Sequence, residues 1–177
     1  MKATGIVRRI DELGRVVIPM EIRRTMKIRE GDPLEIFTDT NGELILRKYS
    51  PMESVEGYAV FLADSIAETV ETGVIICDKD VVVAVSNLPK KEYLGQNITA
   101  ELEQVIENRK TVLNVSEDKI VKIKPDDNKY RSQVIAPILA AGDTYGAVVL
   151  VSKDRTLTDI ELKVATSAAN YLGKQLT

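Results

Sequence analysis

The residues with the clearest chemistry in this 177-residue chain are five arginines near its N-terminus, namely Arg8, Arg9, Arg15, Arg23 and Arg24. A guanidinium group is planar and always charged. Its fork of N–H donors matches the oxygens of a phosphate and the O6/N7 edge of guanine. These side chains therefore predict a nucleic-acid site, and the plainer alternative is that they only solvate an exposed strand pair and helix.

The charge of the chain is unevenly distributed. Residues 1–29 contain eight lysines and arginines against three acidic residues, whereas the whole chain has a formal net charge of −3. The remainder is therefore acidic. This division indicates a basic N-terminal region for an acidic partner, followed by an ordinary acidic body.

Other kinds of site have weak support. The chain has no histidine, which removes the commonest general base and metal ligand, so Ser86 and Thr99 lack a base that would make either a nucleophile. Cys77 is the single cysteine and lies in an apolar strand. We expect a buried, inert thiol there rather than a haem, metal or redox ligand. The sequence thus predicts no enzyme, no metal and no cofactor.

The acidic and basic residues of the body have conformational explanations. Four aspartates fall at predicted turns, where turn chemistry accounts for them: Asp78, Asp80, Asp126 and Asp127. The pair Lys90–Lys91 is typical of a solvated helix start, with an anionic ligand as the alternative. No ligand-binding residue is assigned in the body.

The arginines are carried by short elements. Residues 5–10 and 15–18 are β-branched and predict two strands around a turn at 11–14. Pro19 suits a first helical position, so a short helix over 19–27 follows. Two further strands, 33–38 and 43–48, flank an Asn-Gly turn and complete a β-β-α-β-β unit.

A unit of about fifty residues with short strands is marginal alone and has open sheet edges. An intertwined dimer that shares strands between two chains would bury those edges and enlarge the core. It would also place two copies of the arginine set on one face. The sequence therefore predicts a homodimer through the N-terminal region.

The body reads as a second, antiparallel α+β domain. A capping box at Ser50 and Glu53 predicts a helix that runs to about residue 72, and Thr158 with Glu161 predicts a second box at the last helix. The predicted domains are residues 1–50, a linker at 51–55 and a body at 56–177. Between its terminal helices the body is expected to contain strands at 74–78, 81–86, 119–124, 131–139 and 145–152 and a helix at 98–110.

The stretches GIVRRIDELGRVVIP and EIRRTMKIREGDPLEI resemble the AbrB-type transition-state regulators, whose N-terminal domain is a swapped-hairpin β-barrel dimer that binds DNA. The resemblance covers almost all of residues 1–50. It implies that Arg8, Arg15, Arg23 and Arg24 contact double-stranded DNA, with Arg9 where a basic residue is usual. It also implies A/T-rich, bendable operators, which arginines recognise through phosphates and groove shape.

The longer architecture is similar to the stage V sporulation protein T family, in which the body is a GAF domain. This implies a transcriptional activator and repressor of sporulation genes, in the cytoplasm of the developing forespore and away from membranes. The body would pair through its terminal helices to give a homotetramer, and it would either bind a small molecule or serve oligomerisation alone. An antitoxin with a toxin-binding C-terminal region is the alternative function.

Overall fold

The computed structural model describes residues 4–127 and 129–176. The chain divides into two compact units, Met1–Tyr49 and Ser50–Thr177. They are called the N-terminal unit and the C-terminal unit below, and each is described by itself. Together they contain helices and antiparallel strands in the α+β class that the sequence predicts.

The N-terminal unit contains one helix and one hairpin. Helix α1 is Met20–Thr25, and it follows Pro19, whose fixed φ suits a helix start. Strands β1 (Leu34–Thr38) and β2 (Leu44–Lys48) pair in antiparallel register, with Ile36 opposite Leu46. These three elements confirm the helix and the second pair of strands predicted for this region.

The C-terminal unit is built on a five-stranded antiparallel sheet in the order β4-β3-β7-β6-β5. Long strands β6 and β7 form its centre with β3, and short strands lie at both edges. The strands are β3 (Gly73–Cys77), β4 (Val82–Ser86), β5 (Val112–Asn114), β6 (Ser132–Ala140) and β7 (Asp143–Ser152).

Helices cover both faces of this sheet. On one face α2 (Glu56–Val70) and α5 (Asp159–Gln175) pack over residues such as Ile76 and Leu150. On the other face lie α3 (Lys90–Tyr93) and α4 (Ala100–Glu107). Because both faces are covered, the central strands are apolar at nearly every position rather than at every second one.

Two close approaches fix the packing of the C-terminal unit. A side chain at Gly146 would place its Cβ 1.9 Å from the carbonyl oxygen of Cys77 on the paired strand. At Gly173 in α5, a Cβ would lie 2.2 Å from the carbonyl oxygen of Leu139 in β6. Only glycine lets the backbones come this near to each other.

The strand predicted over 119–124 is wrong. Its alternating sequence KIVKIK suits a strand, but residues 117–119 form a short 3-10 helix and 120–124 have no regular structure. The strand that pairs with β6 at this edge is β5, which was not predicted from the sequence. The Gln133 side chain binds the peptide N–H and C=O of Val121 at 3.0 and 2.8 Å, so a side chain substitutes there for a neighbouring strand.

The two predicted capping boxes have different outcomes. At α5 the box is present: the Thr158 N–H donates to Glu161 Oε2 at 2.7 Å, and the Thr158 hydroxyl accepts from the helix. At Ser50 the box is wrong, because its hydroxyl donates to Asp78 Oδ2 at 3.1 Å. The chain continues there as a 3-10 helix, Pro51–Val55, before α2 begins.

The strands predicted over 5–10 and 15–18 are not strands in this chain. A strand is maintained by hydrogen bonds to a neighbour. Within residues 4–127 and 129–176, no backbone hydrogen bond runs between these two segments, and the bond from Asp11 N to Arg15 O at 3.0 Å belongs to the turn between them. Within the same residues, no helix is long and apolar enough to cross a membrane.

Candidate nucleic-acid interface

The turn at 11–14 forms as predicted and is organised by one carboxylate. Asp11 Oδ1 accepts from the N–H groups of Leu13 at 3.0 Å and Arg15 at 2.8 Å. The Gly14 N–H donates to the Asp11 carbonyl at 3.0 Å, and Gly14 has a φ of +75°. A glycine suits this turn because it adopts positive φ without steric cost.

Arg15 is held at this turn by the same aspartate. Its Nε donates to Asp11 Oδ2 at 2.8 Å, while the arginine side chain remains 70% exposed. The N–H group of Arg15 and then its guanidinium lower the pKa of the Asp11 carboxyl below its ordinary value of 3.8. The carboxylate is therefore charged at neutral pH. The sequence alone indicated a turn at Asp11, and the Asp-x-x-x-Arg spacing was the signal for its contact with Arg15.

Arg8 and Arg9 lie on the segment before this turn, and both are exposed. Large apolar side chains beside them are also exposed: Val7 to 88%, Ile10 to 69% and Val17 to 70%. Hydrocarbon in such density is unfavourable in water, so this surface is typical of one that associates with protein. The arginines thus lie on segments whose apolar residues are uncovered within one chain.

Arg23 and Arg24 lie side by side in the last turn of α1. Arg24 is exposed, whereas Arg23 is half-buried. Its Nε has no hydrogen-bond partner in the described part of the chain. Successive helix residues are about 100° apart around the axis, so the two guanidinium groups leave the helix in different directions.

A charged brace fixes the end of α1 relative to the hairpin. Lys48 Nζ lies 3.1 Å from Asp32 Oδ2 and donates to the carbonyl oxygen of Lys27 at 3.1 Å. The Arg29 N–H donates to the same Asp32 oxygen at 2.8 Å. Burial raises the pKa of Asp32, but these two donors hold it below the ordinary 3.8. Sequence reasoning missed this brace because its members are far apart in the chain.

Within the described residues, none of the five predicted arginines contacts another. Arg15 lies in the turn, Arg8 and Arg9 precede it, and Arg23 and Arg24 lie in α1. What they share is the N-terminal unit and access to solvent: all are exposed except Arg23, which is half-buried.

In the C-terminal unit the second face of the sheet is closed by the segment 120–127. The Ile123 side chain is fully buried against that face. Thr99 holds the segment by its hydroxyl and N–H groups, which bond to the carbonyls of Lys122 and Ile123. Tyr93 OH donates to Asp127 Oδ1 at 2.6 Å and bonds the Tyr130 hydroxyl.

The remaining candidates of the C-terminal unit are unreactive or solvated. Burial raises the pKa of the fully buried Cys77 thiol to about 12, so the thiol stays protonated at neutral pH. Lys90 and Lys91 begin α3 and are exposed, as expected for a solvated helix start. Among the described residues, no group of three His, Cys, Asp or Glu side chains is arranged to hold a metal ion.

Two family models match the chain in succession. Residues 54–177 match the model described as stage V sporulation protein T C-terminal, transcription factor. Residues 7–54 match antidote-toxin recognition MazE, bacterial antitoxin. The chain is also 48% identical over 176 residues to stage V sporulation protein T of Bacillus subtilis, covering 99% of both chains.

Shorter matches concern the separate units. The transition state regulatory protein AbrB of B. subtilis is 63% identical over 51 residues, which are 29% of this chain and 52% of AbrB. The cofactor-binding GAF domain of the nutrient sensor CodY from Clostridium difficile is 20% identical, with a TM-score of 0.52 over 71% of this chain and 94% of that one. A GAF domain of a Coxiella burnetii phosphotransferase is 16% identical, with a TM-score of 0.57 over 71% and 88%.

These matches confirm the predicted AbrB-like and GAF-like architecture. The structural similarity shows a GAF fold, and the identity along nearly the whole chain shows the family. On that identity and on the family model for residues 54–177, the chain belongs to the stage V sporulation protein T family of transcription factors.

Proposed function

We propose that this regulator binds operator DNA through Arg8, Arg9, Arg15, Arg23 and Arg24 of two paired N-terminal units. The observation that carries the proposal is the accessible guanidinium set in a unit that is 63% identical to AbrB over 51 residues. Exposed guanidinium groups suit phosphates and the edges of guanine. A/T-rich operators suit them further, because a narrow minor groove attracts arginine.

Pairing of two N-terminal units is supported by the apolar side chains left exposed beside the arginines. Val7 and Val17 are more than two-thirds exposed in one chain. A second copy that lays its own segments 5–10 and 15–18 alongside would cover them and supply the missing strand neighbours. In this proposal the dimer completes the sheet that carries Arg8, Arg9 and Arg15, so DNA affinity and dimerisation fail together.

A homotetramer through the C-terminal unit is supported by exposed apolar side chains on its two long helices. Tyr58 and Phe61 on α2 are 51% and 77% exposed, and Ile160 and Tyr171 on α5 are 66% and 43% exposed. These helices cover the same face of the sheet and contact each other. Their outer surfaces would pair with those of another chain, and a ligand or an assembly change there would alter the spacing of the N-terminal units.

The protein would act as both activator and repressor of sporulation genes in the cytoplasm of the forespore, and not as an enzyme.

The test of the DNA contacts replaces Arg8, Arg15, Arg23 or Arg24 with alanine and measures duplex binding over a range of salt. Each lost phosphate contact should weaken binding and reduce the slope of log K against log salt by about one. Tight binding by the Arg23→Ala/Arg24→Ala double variant would contradict the proposal.

An antitoxin remains the second candidate, because residues 7–54 match a bacterial antitoxin model. In such a protein the C-terminal region would wrap a toxin. Here residues 50–176 instead build a sheet with helices on both faces, which leaves little extended chain for that task. Recovery of a stoichiometric ribonuclease with the full-length protein would favour the antitoxin.

A further inference from the structure

The two carboxylate oxygens of Asp11 have separate tasks. Oδ1 accepts from the backbone N–H groups of Leu13 and Arg15, and these bonds fix the turn. Oδ2 accepts from Arg15 Nε at 2.8 Å. The backbone bonds alone would stabilise the turn, so the bond to Nε adds something further, namely a fixed place for the guanidinium.

Because this hydrogen bond is made by Nε, the two terminal amino groups of the guanidinium stay available for a ligand. Arg15 binds Asp11 through Nε, and its two terminal amino groups have no hydrogen-bond partner within residues 4–127 and 129–176. Those two groups are the prongs that bind a phosphate or guanine bidentately. An arginine side chain also loses rotamer entropy when it is immobilised. The bond to Asp11 restricts the Arg15 side chain before DNA binds, so less entropy is lost on binding.

We propose that Asp11 is a positioning residue for Arg15: it holds the guanidinium by Nε so that both terminal amino groups are presented together to DNA. The inference rests on the proposed function, in which Arg15 contacts DNA. The negative charge of Asp11 opposes a polyanion in general, so its benefit lies in geometry rather than in raw attraction. Arg8, Arg9 and Arg24 have no comparable anchor among the described residues.

Glu12 provides a matched control. It is adjacent to Asp11, is exposed and carries the same charge, and it makes no hydrogen bond or ion pair within the described residues. Removal of either charge reduces repulsion from DNA by a similar amount. Only removal of the Asp11 charge also frees Arg15.

The test compares Asp11→Asn, Glu12→Gln and Arg15→Ala in the full-length protein. Asparagine retains Oδ1 for the two backbone donors, but its amide NH₂ cannot accept from Nε. Binding is measured to an A/T-rich duplex and a G/C-rich duplex of equal length, over a range of salt. Circular dichroism and the mass in solution verify that each variant folds and pairs as the parent does.

We expect Glu12→Gln to tighten binding to both duplexes slightly. Relative to that control, Asp11→Asn should bind about two- to fivefold more weakly, in keeping with the loss of one exposed ion pair. In an Arg15→Ala background the two substitutions should become equivalent, because there is no guanidinium left to position. A folded Asp11→Glu variant, which restores an acceptor for Nε, should recover part of the affinity.

The outcomes distinguish the positioning role of Asp11 from the proposed DNA contact of Arg15. If Arg15→Ala weakens binding but Asp11→Asn behaves as Glu12→Gln does, the positioning role is wrong and the DNA contact stands. If Arg15→Ala leaves both affinity and salt slope unchanged, the contact itself is wrong and the positioning role falls with it. A difference between Asp11→Asn and Glu12→Gln that persists without Arg15 would assign Asp11 to the turn alone.

Discussion

Similar β-branched segments are buried in paired strands in the C-terminal unit but exposed and unpaired in the N-terminal unit. Both contain short β-branched segments, yet Ile75 and Ile135 of the C-terminal unit are fully buried while Val7 of the N-terminal unit is 88% exposed. The C-terminal unit supplies every strand with a neighbour and covers both sheet faces within one chain. The N-terminal unit pairs only β1 with β2 among the described residues. A strand sequence becomes a strand only where another strand is in reach.

The two units also differ in length, and length affects how much apolar surface each can bury. A unit of about fifty residues cannot enclose enough apolar surface to fold securely alone, whereas one of about 125 residues can. The arginines predicted to contact DNA occupy the smaller unit, whose apolar side chains are exposed within one chain. Under the proposed function, DNA binding would therefore depend on dimerisation of this unit.

The largest effect is expected in the C-terminal unit, at the glycine where two strand backbones approach most closely. Gly146→Ala would place a Cβ 1.9 Å from the Cys77 carbonyl oxygen, so β3 and β7 must separate. We expect a loss of more than about 3 kcal/mol in the free energy of unfolding, measured by denaturant titration. The matched control is Gly57→Ala in α2, where a Cβ meets nothing within 4 Å. That variant should be unchanged or stabilised by up to about 1 kcal/mol. Equal stability of the two variants would mean that β3 and β7 approach less closely.

A second prediction tests whether the exposed residues of the N-terminal unit are covered by another copy. Val7→Ser and Val17→Ser should each raise the dissociation constant of the dimer about tenfold or more, since burial of a valine contributes roughly 1.5–3 kcal/mol. Sedimentation of the protein over a concentration series measures this. Val115→Ser, at a half-exposed position of the C-terminal unit, should leave it unchanged. An unaltered dimer in both valine variants would show that these residues stay in water.

A third, smaller effect concerns an ion pair in the C-terminal unit. Burial raises the pKa of Glu161. The N–H and hydroxyl of Thr158 and the guanidinium of Arg155 lower it by more than burial raises it, so the pKa falls to about 2 from the ordinary 4.5. Arg155 Nη2 lies 2.8 Å from Glu161 Oε1 and also donates to the Val70 carbonyl. The contact therefore ties α5 to the end of α2.

Because the pKa of Glu161 is lowered on folding, its stabilisation is complete above pH 4.5 and is lost as the pH falls from 4.5 to about 2. Glu161→Gln should lower the free energy of unfolding by about 2 kcal/mol at neutral pH and by little at pH 2. Denaturant titrations of both proteins across this range measure the difference. A difference that does not change with pH would contradict the ionic origin of the effect.

Local signals in the sequence were sufficient where one segment determines its own conformation. The Asp11–Gly14 turn, the Asn41–Gly42 hairpin and the Thr158 cap all form, because their hydrogen bonds lie within a few residues. The GAF-like arrangement of the C-terminal unit also followed from periodicity together with the family resemblance. The Ser50 cap failed because Asp78, distant in sequence, competes for the same hydroxyl.

Long-range packing explains the larger errors. Residues 119–124 have the alternation of a strand, but Gln133 and Thr99 bind that backbone and Ile123 fills the core beneath it. The three residues of β5 were too short to be recognised by pattern, although they occupy the sheet edge. The DNA-contact set stays a prediction for all five arginines, and only the structure shows that Asp11 anchors one of them.

By itself the sequence determined most of the helices and strands of the C-terminal unit, the unequal charge of the two halves and the presence of a dense guanidinium set. These depend on residue type and on spacing within one segment. Tertiary structure decided which strand sequences find a neighbour and which apolar surfaces stay open. Those outcomes depend on contacts between distant residues, whose partners a linear pattern does not name.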